Sequence, residues 1–167
     1  RHGVANPKAR FKKIYTEEDV LGSPYVSQPL RLFDICATSD GGAALVITSM
    51  DFAKKHGVAN PVRISGVSTI SPTFPQTVID MPDFTTDSAA GMPAPDRSFR
   101  DSIAYAAYEE AGLGPEDMDL AEVYDLSSAL ELDWYENIGL CKPGEAEGLL
   151  RDGATEIGGR IPVNPSG

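Results

Sequence analysis

Apolar residues recur along the chain with two different periods, one typical of helices and one of strands. Glycine or proline marks most boundaries between the predicted elements. In DRSFRDSIAYAAYEEAG the apolar residues recur at steps of four, which predicts a helix capped by Asp96 and ended by Gly112. Two shorter helices are predicted, one at TEEDVLG with Thr16 as its cap and one at MDFAKKHG with Gly57 as its end. EGLLRDGAT predicts a further short helix or turn.

Three stretches have the pattern of extended chain instead. SDGGAALVITS carries an apolar run between turn residues and predicts a buried strand, and VRISGVST alternates with period two and predicts a second. LAEVYD predicts a short third strand that leads into a helix capped at Ser127 or Ser128. Ser128 and Glu131 have the spacing of a capping box, and the helix is expected to end at Gly139. Its predicted apolar face comprises Leu130, Trp134 and Ile138.

Residues 70–95 interrupt this succession of strands and helices. They contain five prolines and a stretch rich in Thr, Asp, Ser and Gly. A loop of this length inside a compact domain is usually functional or disordered. Because apolar residues run through it, we expect a segment that covers a substrate rather than a linker. The elements on both sides of it indicate a mixed α/β layered fold.

Composition and charge exclude several classes of function. The formal net charge of −11 argues against a nucleic-acid surface, which needs clustered Lys and Arg. The two cysteines and two histidines match no metal-binding spacing, so no metal site is expected. The chain contains no apolar run of about 18 residues, the length a membrane span needs. Two cysteines in a chain this long do not form a disulfide framework, so we expect a cytoplasmic protein.

The end of the third predicted strand is the best candidate for chemistry. Tyr124 and Asp125 stand there, just before a helix whose first turn has unpaired N–H groups and a partial positive charge. A phenolate or an enolate is stabilised at such a position. A nearby Asp125 carboxylate would act in the opposite direction and raise the pKa of the phenol. The alternative for Tyr124 is a half-buried strand aromatic with a hydrogen-bonded hydroxyl.

Three stretches together resemble the thiolase superfamily. They are LRLFDICATSDGGAALVITS, MDLAEVYDLSSALELDWYENIGLC and EGLLRDGATEIGGRIPVNPSG, and the last is similar to the sterol-carrier-protein thiolase and lipid-transfer-protein branch. The resemblance implies a layered α/β/α fold with a mixed sheet, present here as a fragment. Residues 1–60 would be the end of the N-terminal thiolase half, and residues 61–167 the first part of the C-terminal half.

One departure from the superfamily motif changes the expected reaction. Where thiolases have His or Asn, this sequence has Tyr124, and in this it resembles the steroid side-chain aldolases. The resemblance implies a retro-aldol cleavage of a β-hydroxyacyl-CoA, with Tyr124 as the acid/base. Coenzyme A would enter as part of the substrate, and no tightly bound cofactor is expected. A homodimer and a small partner subunit with an OB-fold and a zinc ribbon are also implied.

Four further residues are candidates for contact with the substrate. Cys36 falls where thiolases place a small residue beside the pantetheine arm, with plain burial as the alternative. Met92 falls near the loop that lines the acyl pocket, with core packing as the alternative. Ser127 follows the motif tyrosine and can equally cap the helix. Asn164 precedes the expected Gly-His-Pro loop and can bind substrate or shape that loop.

Two other functions stay open on the sequence. An acyl-transferring thiolase of the sterol-carrier branch would require a nucleophilic cysteine upstream of these residues. A non-catalytic member of the superfamily would use the fold only as a platform for a partner.

Overall fold

The computed structural model describes residues 2–71 and 99–167, and it describes the side chains of the second range from residue 103 onward. The helices in these ranges are α1 (His2–Ala5), α2 (Glu17–Leu21), α3 (Met50–Lys55), α4 (Phe99–Ala111), α5 (Ser128–Asn137) and α6 (Ala146–Arg151). Short 3-10 turns occur at Leu32–Asp34 and Pro115–Asp117. None of the described helices is long and apolar enough to cross a membrane.

Strand pairing within the described ranges is sparse. Strands β1 (Tyr25–Ser27) and β2 (Leu30–Arg31) form a two-stranded antiparallel sheet. An isolated antiparallel bridge joins Ile35 to Ser127. A second, parallel bridge joins Ala121 to Val163; the predicted third strand LAEVYD is reduced to this single bridge, so that strand prediction is wrong.

The helices predicted from local signals are confirmed. The Thr16 hydroxyl accepts from the Asp19 amide at 3.1 Å, and the Asp19 carboxylate accepts from the Thr16 amide at 3.0 Å, so both halves of a capping box form. Gly57 and Gly112 follow their helices with φ values of 65° and 68°, in the left-handed region where glycine ends helices. The predicted cap Asp96 lies outside the described residues.

The start of α5 differs from its predicted capping box. The N-cap is Ser127, whose hydroxyl accepts from the Leu130 amide at 3.2 Å. Glu131 does not turn back to Ser128. Its carboxylate accepts a hydrogen bond from the Tyr135 hydroxyl one turn later, at 2.8 Å.

Two of the predicted strands, SDGGAALVITS and VRISGVST, are not strands in the structure, and this part of the prediction is wrong. Val46 and Val62 are 96% and 92% exposed. A strand forms only when another strand completes its hydrogen bonds, and no described residue pairs with these two segments. The second segment instead packs on α4, because a Cβ on Gly66 would stand 2.4 Å from the carbonyl oxygen of Ala107.

The core is formed by residues of α5 and α6, the residue Leu140 between them, and segment 161–163. Its buried residues are Tyr135, Leu140, Ala146, Ile161 and Val163. Tyr135, at 1% exposure, is thus the inward residue of α5, whereas the predicted face residues Leu130, Trp134 and Ile138 are half-buried. Apart from their first two positions, residues 70–95, predicted to cover a substrate, lie outside the described residues.

Replacement of Ile161 by Ala is expected to destabilise the protein by about 2–5 kcal/mol, because the side chain is 1% exposed and its loss leaves a cavity. Ile157→Ala is the matched control, since Ile157 is 56% exposed in the same stretch and its loss should change stability by about 0.5 kcal/mol or less. Urea unfolding of both variants measures the difference. Equal effects would show that the 161–163 segment is not a core element.

Candidate active site

Tyr124 projects from the chain where the paired segment 121–123 ends and α5 is about to begin. Its side chain is 62% exposed, so the half-buried strand aromatic that the pattern also allowed is wrong. The backbone around it is held by a second segment, because the Cys36 amide donates to the Leu126 carbonyl at 3.0 Å. This pairing brings the Cys36 side chain close enough to Tyr124 to influence the ionisation of its phenol.

A cleft of about 1190 Å³ is lined by Cys36 and by Asp125, the residue after Tyr124, but not by Tyr124 itself. Its wall also includes Glu131 and Asn164, so three separate segments of the chain contribute to it. Cys36 is exposed, so plain burial is wrong for it, while its contact with a pantetheine arm stays a prediction.

The pKa of the Tyr124 phenol is raised above its ordinary value. Hydrogen bonding to the Cys36 side chain and charge on that side chain are the main causes, and desolvation and the Asp125 charge add smaller effects in the same direction. The phenol is therefore in its protonated, hydrogen-bond-donating form at neutral pH. Asp125 acts in the direction expected from the sequence.

Glu131 is an ionisable residue that lines the cleft, and the sequence assigned it only to a capping box. Burial raises the pKa of its carboxyl, while the hydrogen bond from the Tyr135 hydroxyl and the nearby His2 lower it and Asp125 raises it. The pKa of the buried Tyr135 phenol is raised as well, first by burial and then by its bond to Glu131. The sequence did contain a signal for this pair. Tyr135 follows Glu131 by four residues, and residues four apart are neighbours on a helix.

The remaining predicted substrate residues differ in their placement. Asn164 lines the cleft, and its side-chain oxygen accepts from the Val123 amide at 2.7 Å. Ser127 caps α5 and does not line the cleft. Met92 lies outside the described residues. Substrate contact by Cys36, Met92, Ser127 and Asn164 stays a prediction.

His2 belongs to the site although no local pattern marks it. Its Nδ1 lies 2.9 Å from the carbonyl oxygen of Val163 and 3.1 Å from that of Asn164. Because both partners are acceptors, Nδ1 carries a proton in this arrangement. Among the described residues, no group of three or more His, Cys, Asp or Glu side chains could hold a metal ion.

Cys36→Ala is expected to lower the pKa of Tyr124 towards its ordinary value, because the two main causes of its rise come from the Cys36 side chain. The phenolate absorbance or the tyrosine ring NMR signal, followed against pH, measures the shift. Cys141→Ala is the control, since Cys141 packs against the core and is not a cause of the Tyr124 shift. An unchanged Tyr124 titration in Cys36→Ala would contradict the contact.

Tyr135→Phe is expected to raise the pKa of Glu131 further, because it removes a hydrogen bond to the carboxylate and leaves the burial in place. The carboxyl-carbon NMR signal of Glu131 should then titrate at higher pH than in the parent. Tyr25→Phe removes an exposed hydroxyl that bonds to Arg31 and should leave this titration where it was. A fall in the Glu131 pKa in Tyr135→Phe would show that the bond does not stabilise the charged form.

Known proteins with similar sequences and structures include both thiolases and aldolases. The benzoylsuccinyl-CoA thiolase subunit BbsB of Thauera aromatica is 35% identical over 100% of this chain and 40% of its own length. Sterol carrier protein 2 of Rattus norvegicus is 34% identical over 100% of this chain and 29% of its own. A solved structure, the Ltp2-ChsH2(DUF35) aldolase, matches with a TM-score of 0.79 and 33% identity over 99% of this chain and 41% of that one.

These matches confirm the thiolase-like fold and the resemblance to the sterol-carrier and aldolase branch. The chain spans well under half the length of each of these relatives. The division at residue 60 into two thiolase halves stays a prediction. The model of the family described as thiolase C-terminal domain-like matches residues 76–167, more than half of the chain, and the chain belongs to that family.

Proposed function

We propose that this chain is part of a thiolase-fold lyase that cleaves a β-hydroxyacyl-CoA thioester by a retro-aldol reaction. The observation that carries the proposal is Tyr124, an exposed phenol in contact with a residue of the cleft, where the superfamily motif has His or Asn. A phenol at this place is suited to exchanging a proton with a substrate hydroxyl. The similar solved structure that is named an aldolase supports the same reaction class.

In this reaction Tyr124 exchanges one proton with the β-oxygen of the substrate. Loss of the β-hydroxyl proton lets a ketone form there, while the bond between the α- and β-carbons breaks. Its electron pair passes to the thioester as an enolate, and a proton returned to the α-carbon completes a shorter acyl-CoA. One proton leaves and one returns, so the reaction balances without an oxidant or a reductant.

The start of α5 supports the enolate stage of the proposed reaction. The helix begins at Ser128, shortly after Tyr124, and the N-terminus of a helix carries a partial positive charge and unpaired N–H groups. A negative thioester oxygen near that end would be stabilised.

The proposed substrate is a steroid-CoA thioester, which would yield a ketosteroid and a short acyl-CoA such as propionyl-CoA. The cleft is lined by three cationic side chains, Arg10, Lys13 and Arg151, the charge type that phosphate groups of coenzyme A require, and also by five carboxylates, of which Glu147 pairs with Arg151. We further propose that the complete protein forms a homodimer and works with a small partner subunit carrying an OB-fold and a zinc ribbon. The similar Ltp2-ChsH2(DUF35) aldolase, whose name joins two components, supports a partner.

A thiolase-type acyl transfer is the second candidate. The similarity to a benzoylsuccinyl-CoA thiolase subunit, at 35% identity, favours it. It requires a cysteine that takes an acyl group from the thioester. An acyl adduct found by mass spectrometry on the complete protein after incubation with acyl-CoA would support this candidate over the lyase.

Tyr124→Phe in the complete protein is expected to lower kcat for cleavage of a β-hydroxyacyl-CoA by about 10²- to 10⁴-fold, because general acid–base catalysis contributes about that much. Formation of the ketone and of the shorter acyl-CoA is measured with the partner subunit present. Tyr25→Phe is the matched control, since Tyr25 is a similarly exposed tyrosine, at 57%, whose hydroxyl bonds to Arg31 instead of lying near Cys36.

Three outcomes decide between the functions. Unimpaired cleavage by Tyr124→Phe would overturn the role of Tyr124. Acyl transfer without cleavage in the parent protein would support the thiolase. Substrate binding without turnover of either kind, once the partner is supplied, would contradict both catalytic proposals.

A further inference from the structure

Asn164 has a backbone conformation that ordinary residues avoid. Its φ is 49°, in the left-handed region, where Asn is one of the few residue types found apart from glycine. Among the described residues other than glycine, only Asn60 shares this conformation, with a φ of 52°. The conformation turns the chain away from segment 121–123 at a defined residue.

At that turn, Asn164 makes two hydrogen bonds to segment 121–123, one through its backbone and one through its side chain. Its amide donates to the Ala121 carbonyl at 2.8 Å, next to the parallel bridge between Ala121 and Val163. Its side-chain oxygen then accepts from the Val123 amide at 2.7 Å. The side chain thus replaces the carbonyl that a continuing strand would have offered to Val123, whose half-buried N–H would otherwise lose a partner.

Further side-chain hydrogen bonds hold the segment around Asn164. His2 bonds to the carbonyl oxygens of Val163 and Asn164. The Glu122 carboxylate accepts from the Ser166 amide at 3.0 Å and from its hydroxyl at 2.9 Å. Together these bonds leave little freedom for Asn164 to move relative to segment 121–123.

We infer that Asn164 is a positioning residue for Tyr124. The residue whose amide it binds, Val123, directly precedes Tyr124, so the side-chain oxygen of Asn164 sets where the phenol leaves the paired segment. Asn164 acts through the backbone and does not itself need to touch the substrate. The effect on turnover rests on the proposed function of Tyr124, whereas the effect on the backbone does not.

Two substitutions separate the side-chain hydrogen bond from the backbone conformation. Asn164→Gly keeps the left-handed conformation accessible but removes the acceptor. Asn164→Asp keeps an oxygen acceptor and tolerates the conformation. In the complete protein with its partner, Asn164→Gly is expected to lower kcat by about ten- to a hundredfold, because small displacements of a catalytic group have effects of that size. KM should change little. Asn164→Asp should keep kcat close to that of the parent.

Amide hydrogen exchange gives a readout independent of turnover. The Val123 amide should exchange faster in Asn164→Gly and at the parental rate in Asn164→Asp, because only the former loses the acceptor. Asn60→Gly is the matched control, since it makes the same change at the other left-handed asparagine, and it should leave Val123 exchange and kcat unchanged.

The results distinguish a failure of this inference from a failure of the proposed function. A parental kcat in Asn164→Gly, or parental Val123 exchange in it, would overturn the positioning role. If the parent protein does not cleave the substrate, the proposed lyase fails, and Val123 exchange with the Tyr124 ring NMR signal decides the positioning role alone. If both signals change in Asn164→Gly, the positioning role is supported. If either stays as in the parent, the role is overturned.

Discussion

The parallel pairing of two short segments, residues 121–123 and 162–164, is the constraint on which the rest of the site depends. The Ala121 amide donates to the Pro162 carbonyl at 2.9 Å, and the Asn164 amide returns a bond to Ala121. Parallel segments need a long crossover between them. Here α5 and α6 form that crossover, and they contribute Tyr135 and Ala146 to the core on which Ile161 and Val163 pack. The pairing and the core therefore stabilise each other.

The candidate site follows from this arrangement. A parallel segment that ends just before a helix leaves its last residue at the edge of the packed layer, where ligands bind in α/β folds. Tyr124 occupies that position, and the bridge between Ile35 and Ser127 adds a third chain segment that carries Cys36. The site thus combines side chains from the start, middle and end of the chain, and the order of the segments in space follows from a few backbone bonds.

The sequence predicted correctly the caps and helix ends that depend on neighbouring residues. It failed for the strands, which depend on pairing with residues distant in sequence. The cap at Thr16 and the helix ends at Gly57 and Gly112 are local, and they are confirmed. The apolar run around Val46 predicted a buried strand but did not indicate which strand would pair with it. In the structure this run is exposed. Cys36 and Asn164 were candidates only through a family resemblance, and the structure places both at the cleft. The contact of His2 with Val163 joins opposite ends of the chain, and no periodicity marks it.

The ionisation of Tyr124 sets a condition on the proposed reaction. Cys36 and Asp125 both raise the pKa of the phenol, so the free protein holds the proton that cleavage requires Tyr124 to accept. A protonated phenol is suited to donating a hydrogen bond to the β-oxygen of an arriving substrate. A bond donated to the β-oxygen stabilises the protonated phenol in the same way as the interaction with Cys36, so exchanging one for the other does not lower the pKa of Tyr124. Under the proposed function, Tyr124 must therefore pass its proton to another group before it can accept the proton of the β-hydroxyl.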